Sequence, residues 1–139
     1  VIDAKNISVI LRSKKENMGN ANILKFITAE GNISKDKMRV AVRAKSIDEA
    51  LKLFEKHFGL TDAIQAYQKT GSLIPVEIEI EKSIAKRGLN VLRRSVLSIS
   101  AIAGFLLLKE EEVNNIRKII RAKEFNLPYE KLKEMLVIV

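Results

Sequence analysis

The chain contains two copies of one segment, one at each end of the sequence. Residues 1–27 align with residues 110–136 without a gap, and an Asn-Ile pair and an Arg-x-Lys pair recur at the same places in both copies. A regular repeat is typical of arrays built from similar helical units. We therefore expect residues 1–31 to be the C-terminal helices of one unit and residues 32–139 to be a complete second unit. A chain that also opens without Met is expected to be a piece of a longer array or a processed protein.

The stretch of residues 98–126 predicts one long helix whose two halves differ in character. Between Ile99 and Leu108 only Ser100 and Gly104 interrupt the hydrophobic residues. Because a helix that is apolar on every side is usually enclosed by neighbours, we expect this half to lie at the centre of the fold. The second half keeps an apolar stripe beside a charged face. The apolar run is shorter than the roughly 20 residues that span a bilayer, and no basic signal-peptide segment opens the chain.

The remaining patterns also predict helices. Ser46 and Glu49 form a capping box that begins an amphipathic helix, which Gly59 ends. Residues 76–81 alternate as a strand would, but Pro75 suits a first helical turn, the apolar spacing of four continues beyond them, and no second strand is available for pairing. The sequence thus predicts an all-α fold of helical repeat units, with antiparallel helices around the central long helix.

Composition excludes several classes of chemistry. The chain has no cysteine and one histidine, His57, so thiolate, disulfide and multi-histidine metal sites are excluded. The glycines are widely scattered along the sequence and never cluster, which argues against the usual phosphate-binding loops. His57 does not occur in a recognised catalytic motif with a nucleophilic residue. The glutamates at 77, 79 and 81 and at 110–112 do not have the spacing of an EF-hand calcium site. We therefore predict no catalytic centre, no cofactor and no metal, and expect a role in binding and assembly.

The repeated polar residues are candidates for an interaction surface, and two interpretations stay open. The basic pairs could form a ridge that meets acidic neighbours, or they could complement the negative end of their own helix dipole, which we favour. The repeated asparagines are expected to make polar contacts between packed helices. The candidate interaction or structural residues are Asn6, Arg12, Lys14, Asn115, Arg117, Arg121 and Lys123.

A family resemblance runs along nearly the whole chain and is most specific between residues 104 and 130, GFLLLKEEEVNNIRKIIRAKEFNLPYE. This stretch closely resembles the end of the C subunit of the archaeal-type (A-type) rotary ATP synthase, a relative of the d subunit of vacuolar ATPase. The Thr70-Gly71-Ser72-Leu73 loop followed by Glu77, and the Asp3-x-x-Asn6-Ile7 stretch, resemble earlier parts of the same protein. The sequence departs from the family at Ser13 and Ala122, where glycine is usual between the basic pair, and at Asn126, where glycine usually precedes Leu-Pro.

The resemblance implies a non-catalytic rotor subunit. Members of the family consist of three similar helical units that form a funnel, and they link the central shaft to the proteolipid ring of a proton- or sodium-translocating ATPase. The resemblance also implies that the partners are the shaft subunits, the ring and the rest of the C subunit. It implies that the protein lies peripherally on the cytoplasmic face of the membrane. The net charge of +8 supports an alternative, a basic helical module that binds nucleic acid or an anionic membrane surface. Few aromatic residues and no base-reading motif count against that alternative.

Overall fold

The computed structural model describes residues 1–27, 31–94 and 99–138, and their regular secondary structure is entirely α-helical. This confirms the predicted all-α fold. The helices of these described ranges are α1 (Ile2–Lys15), α2 (Asn20–Phe26), α3 (Lys35–Arg43), α4 (Ile47–Phe58), α5 (Thr61–Thr70), α6 (Ile74–Arg94), α7 (Ile99–Glu124) and α8 (Tyr129–Met135).

The segment with strand-like alternation, residues 76–81, lies within α6, as predicted. Ser72 accepts a hydrogen bond from the backbone N–H of Ile74 (3.3 Å) at the start of this helix. Pro75 follows, where its missing N–H and fixed φ cost little. These residues at the start of α6 therefore favour a helix more strongly than the alternation of apolar and acidic residues in its first turns favours a strand.

The capping box of α4 forms as predicted at its serine end. The Oγ atom of Ser46 accepts a hydrogen bond from the N–H of Glu49 (3.1 Å), while the Glu49 carboxylate accepts from the N–H of Lys45 (2.6 Å) rather than from Ser46. The helix ends at Gly59, whose φ of +70° places it in the left-handed region that glycine adopts without cost. Both ends of α4 thus follow from local sequence.

The chain divides into two compact units, residues 1–80 and 81–139. In the first unit, α1 and α2 pack with α3 and α4 around fully buried side chains. In the second unit, α7 packs with α8, and the buried residues are mostly small. The fully buried large side chains of the first unit include Ile7, Ile10, Leu11, Ile23, Leu51 and Phe54. The division predicted from the repeat, after residue 31, stays a prediction.

The prediction that the first half of the long helix is enclosed was wrong. The helix begins at Ile99, whose side chain is 84% exposed, and Ile102 and Leu106 are 62% and 61% exposed. The buried residues in this half are Ala101 and Gly104, which share one face. An apolar composition therefore did not reveal how many sides of the helix have a neighbour. No described helix is long and apolar enough to cross a membrane. Because Gly88 weakens a helix, the sequence also predicts a bend either at Gly88 or near residues 95–98, and the latter lie outside the described residues.

Candidate interaction site

The two sequence copies have the same local structure. In the alignment of the copies, α1 and α2 correspond to residues 111–124 and 129–135, which are the limits of the C-terminal part of α7 and of α8. The connecting turns also agree, because Asn17 and Asn126 are both left-handed, with φ of 54° and 51°. Both copies therefore form a helix, a turn and a shorter helix, as the sequence repeat leads one to expect.

Each turn is closed by the same hydrogen bonds. In the first copy the N–H of Met18 donates to the carbonyl of Ser13 (2.9 Å), and in the second copy the N–H of Leu127 donates to the carbonyl of Ala122 (2.8 Å). This bond, which encloses a left-handed residue, is the Schellman helix end. Asparagine adopts this conformation more readily than most residues, which explains how Asn126 serves where glycine is usual.

In the first copy, Arg12 pairs with an acid far along the chain. Its Nε atom donates to Oε1 of Glu77 (2.6 Å), and a terminal nitrogen donates to Oε2 (3.0 Å). This is the bidentate geometry that a guanidinium makes with a carboxylate. The pair joins the last turn of α1 to the first turns of α6. Arg12 therefore fits the interpretation that we favoured less, in which the repeated basic residues meet acidic neighbours.

Lys14 fastens α1 to the end of another helix. Its Nζ atom donates to the carbonyl oxygens of Val42 (2.8 Å) and Ala44 (2.6 Å), where α3 ends. The last carbonyls of a helix lack intrahelical donors, and they carry the negative end of the helix dipole. Burial lowers the pKa of Lys14, while the nearby carboxylate of Glu49 opposes that shift. The lysine therefore complements the dipole of α3 by direct contact.

Asp3 makes a third link from the first copy. Its buried carboxylate accepts hydrogen bonds from the backbone N–H groups of Asn32 (2.8 Å) and Ile33 (3.1 Å). Gly31 lies so close to this carboxylate that an added Cβ atom would collide with it. Asp3, Arg12 and Lys14 together tie α1 to the residues that follow it.

In the second copy, Asn115 makes the polar contact expected of a packed asparagine. Its Nδ2 atom donates to the carbonyl oxygen of Val137 (2.7 Å), and its Oδ1 atom accepts from the N–H of the same residue (3.0 Å). The equivalent residue, Asn6, is buried in α1, and residue 28, which corresponds to Val137, lies outside the described residues. Asn115 thus holds the chain after α8 against α7.

The other candidate residues of the second copy lie on the surface. Arg117, Arg121 and Lys123 are all exposed, and Arg117 donates to the side chain of Asn114 in the same helix (3.3 Å). In the described ranges 1–27, 31–94 and 99–138, Arg121 and Lys123 make no ion pair. The structure therefore groups Asn6, Arg12 and Lys14 on α1 and the remaining candidates on α7. Whether they form an interaction site stays a prediction.

A charged cluster that the sequence did not reveal lies within the second unit. Lys118 donates to Oε2 of Glu81 (2.6 Å) and lies 3.8 Å from Oε1 of Glu111. Burial and the neighbouring carboxylate of Glu81 raise the pKa of Glu111, although Lys118 opposes the shift. The sequence did contain a signal for this cluster, because the spacing of Glu111 and Lys118 places them two turns apart on one face of a helix. Among the described residues, no group of three or more metal-binding side chains is close enough to hold an ion.

Comparisons with known proteins show which family the chain belongs to. A family model described as ATP synthase (C/AC39) subunit matches residues 1–135. The chain belongs to this family. The C subunit of A-type ATP synthase from Methanocaldococcus jannaschii is 28% identical over 141 residues, which cover 99% of this chain and 35% of the relative. The same protein of Pyrococcus abyssi is 29% identical over 137 residues, covering 97% of this chain and 37% of the relative.

Family membership confirms the resemblance that residues 104–130 carry. This member of the C/AC39 family spans little more than a third of the length of the relatives it matches. No solved structure gave a significant match. Glu77 and Asp3 were noted in the sequence because they fit the family pattern, and the structure shows what they do in this chain. Both receive hydrogen bonds that hold α1 to its neighbours.

Proposed function

We propose that this chain is part of a non-catalytic central-stalk subunit of an A-type rotary ATPase. The match of residues 1–135 to the ATP synthase (C/AC39) family carries the proposal. The relatives named as the C subunit of A-type ATP synthase support it, because each aligns with nearly the whole of this chain. In this role the protein links the central shaft to the proteolipid ring and lies peripherally on the cytoplasmic face of the membrane.

The packing of the second unit suits a part that transmits torque. An added Cβ atom at Gly104 would lie 2.8 Å from the carbonyl oxygen of Gly88, so α6 and α7 approach each other with backbone nearly in contact. Close-packed protein interiors have low compressibility and transmit strain. We therefore expect this closely packed helix pair to transmit strain.

Exposed basic residues supply the means of docking. The net charge is +8, and residues such as Arg117, Arg121 and Lys123 project from the surface of α7. Charges of one sign on a surface accelerate association with a surface of opposite sign and favour the correct orientation. We therefore expect acidic patches on the shaft subunits or on the rim of the ring to be the docking partners, with association that weakens as salt is added.

The test is co-elution of the purified chain with shaft subunits and with detergent-solubilised proteolipid ring. The proposal expects retention by one or both, reduced between about 50 and 200 mM salt, and no ATP hydrolysis by the chain itself. The basic-module alternative expects affinity for duplex or single-stranded nucleic acid that falls steeply over the same salt range. Tight nucleic-acid binding without retention of either ATPase component would overturn the rotor assignment.

A further inference from the structure

An open cleft in the first unit is lined largely by polar side chains. Its volume is about 450 Å³, which lies within the range of roughly 300–1,000 Å³ that is usual for small-molecule sites. The turn between α1 and α2, the connection between α3 and α4, and α5 all contribute to its wall. The polar groups that matter most here belong to Lys14, Asn17, Asn20, Lys45, Asp48 and Tyr67.

Two lysines give one side of the cleft a positive charge. The ammonium group of Lys14 uses two of its three hydrogens to donate to the carbonyl oxygens of Val42 and Ala44. Lys45 follows Ala44 directly, and its exposed side chain makes no ion pair or hydrogen bond within residues 1–27, 31–94 and 99–138. Because burial removes water from Lys14 and lowers its pKa, an anion in the cleft would restore part of the lost stabilisation of this charge.

Uncharged polar side chains surround the two ammonium groups. Among the described residues, the side chains of Asn17, Asn20 and Tyr67 make no hydrogen bond. Asn17 is fixed in its left-handed turn, and Asn20 begins α2, so the backbone sets where both amides lie. Burial and the carboxylate of Asp48 raise the pKa of Tyr67, which keeps its hydroxyl protonated and able to donate. The cleft therefore offers hydrogen-bond donors from three parts of the unit.

Asp48 gives another side of the cleft a different chemistry. Its Oδ1 atom accepts a hydrogen bond from Nε2 of Gln68 in α5 (3.0 Å), so the carboxylate lies toward α5. A carboxylate repels an anion, but it accepts hydrogen bonds from hydroxyl groups. The cleft thus suits a molecule that carries a negative charge at one end and hydroxyl groups at the other.

The type of cation at the cleft favours phosphate over a carboxylate as the anionic group. Planar carboxylates are matched best by the fork of an arginine, whereas a lysine ammonium binds phosphate as a point charge. The described lining contains two lysines and no arginine. A phosphate monoester carries close to two negative charges at neutral pH, which corresponds to two ammonium groups.

We propose that this cleft binds a small, soluble phosphate monoester that carries hydroxyl groups, with its phosphate beside Lys14 and Lys45 and its hydroxyl groups toward Asp48. The site differs from a glycine-rich phosphate loop, because its donors are side chains. Glycerol 3-phosphate represents the ligand class. The proposal goes beyond the rotor role and does not depend on it.

Titration of the isotope-labelled full chain with glycerol 3-phosphate, followed by amide chemical shifts, tests the proposal. Saturable shifts should be concentrated in residues 14–20, 44–48 and 67. Lys45→Gln should weaken binding by about tenfold, because it removes a charge-assisted hydrogen bond to the phosphate. Lys123→Gln is the matched control, since Lys123 is exposed and is the equivalent of Lys14 in the second copy. It removes the same charge and should leave the affinity unchanged.

Further probes define the ligand. Inorganic phosphate should bind about fivefold more weakly than glycerol 3-phosphate, because it lacks the hydroxyl groups that face Asp48. Asp48→Asn should narrow that difference, and circular dichroism should show that each variant stays helical. Absence of saturable binding, or equal weakening by Lys45→Gln and Lys123→Gln, would overturn the proposal.

Two other outcomes would also count against this ligand class. Equal affinity for inorganic phosphate and glycerol 3-phosphate would show an adventitious anion only. Binding to phosphatidylglycerol vesicles that Lys45→Gln abolishes, without binding of glycerol 3-phosphate, would assign the cleft to a lipid headgroup and overturn the proposal of a soluble ligand.

Discussion

The guanidinium group of Arg12 donates to both carboxylate oxygens of Glu77, which lies 65 residues further along the chain. Arg12 is 69% exposed and Glu77 21% exposed at their side chains, so the pair lies at the edge of the packed region. The same arginine recurs as Arg121, where the chain supplies no such acid among the described residues. Within that part of the chain, the repeat thus offers one arginine with an acidic partner and one without, at equivalent positions of the same helix end.

Arg12→Ala should lower the free energy of unfolding by about 1 kcal/mol, because an exposed pair is screened by solvent even when its geometry is bidentate. Arg121→Ala should change it by less than about 0.5 kcal/mol, as is usual for an exposed surface residue. Urea titration at one pH measures both. A loss of roughly 3 kcal/mol for Arg121→Ala would instead indicate a buried acid partner, against the exposure seen here. A double-mutant cycle with Glu77→Ala should assign the Arg12 effect to the pair.

Gly104→Ala should destabilise the second unit, although alanine is the better helix former. Its Cβ atom would lie 2.8 Å from the carbonyl oxygen of Gly88 and 3.2 Å from the backbone nitrogen of Leu92, and backbone atoms cannot move aside cheaply. Overpacking of this kind typically costs about 1–3 kcal/mol.

Gly88→Ala is the matched control for Gly104→Ala. Its Cβ atom would approach no neighbour closer than 3.4 Å, which is ordinary van der Waals contact. This substitution should therefore be neutral or stabilising, by up to about 1 kcal/mol, through helix propensity. Thermal unfolding of the two variants should show opposite shifts, and equal shifts would contradict the close approach of α6 and α7.

Local sequence signals predicted the helices well. The capping residue Ser46 and the terminating residue Gly59 set both ends of α4, and Pro75 decided between helix and strand at the start of α6. The repeat predicted similar helical structure at both ends of the chain, and Asn17 and Asn126 end the first helix of each copy with the same left-handed turn. Such signals act within a few residues, so one sequence suffices to interpret them.

Contacts between distant segments could not be predicted in the same way. The residues in the last turn of α1 do not predict that Arg12 meets Glu77, since that pairing depends on where the start of α6 lies relative to α1. The burial of Ile99–Leu108 was overestimated because a hydrophobic side chain is more stable when it is buried, but its hydrophobicity does not show whether a neighbouring helix covers it. For the candidate site, the repeat identified the residues. Only the structure shows that the apolar face of the first copy is buried and that of the second copy is exposed.

Asn115→Leu should release the chain after α8 from α7. The substitution keeps the number and branching of the side-chain heavy atoms but removes both hydrogen bonds to the backbone of Val137, a residue that is 3% exposed. Two such bonds together contribute about 1–3 kcal/mol. Hydrogen exchange should become faster at the amide of Val137, with little change in the first unit.

Asn115→Asp is the informative companion to Asn115→Leu. The carboxylate can still accept from the N–H of Val137, but it cannot donate to the carbonyl oxygen. Its stability and its exchange rate should therefore fall between those of the original chain and the leucine variant. Unchanged exchange at Val137 in both variants would show that Asn115 does not hold this segment.

Glu111→Gln should stabilise the chain at neutral pH. Burial and the carboxylate of Glu81 raise the pKa of Glu111 above its ordinary value of 4.5, despite Lys118 nearby. The folded chain therefore holds this proton more tightly than the unfolded chain, and the free energy of unfolding falls as pH rises through the raised pKa. Above that range the ionised carboxylate carries its full penalty, whereas below 4.5 both states are protonated and the penalty vanishes.

Removing the titratable group should remove this pH dependence. Urea titrations of the original chain and of Glu111→Gln at about pH 5, 6 and 7 should give a stability difference that favours glutamine and grows with pH. Glu112→Gln is the control, because its side chain is 57% exposed and pairs with Lys109 in the same helix turn. The control variant should follow the original chain across the range. If Glu111→Gln instead lost stability at neutral pH, the attraction between Glu111 and Lys118 would outweigh burial, and the pKa of Glu111 would have to be lowered.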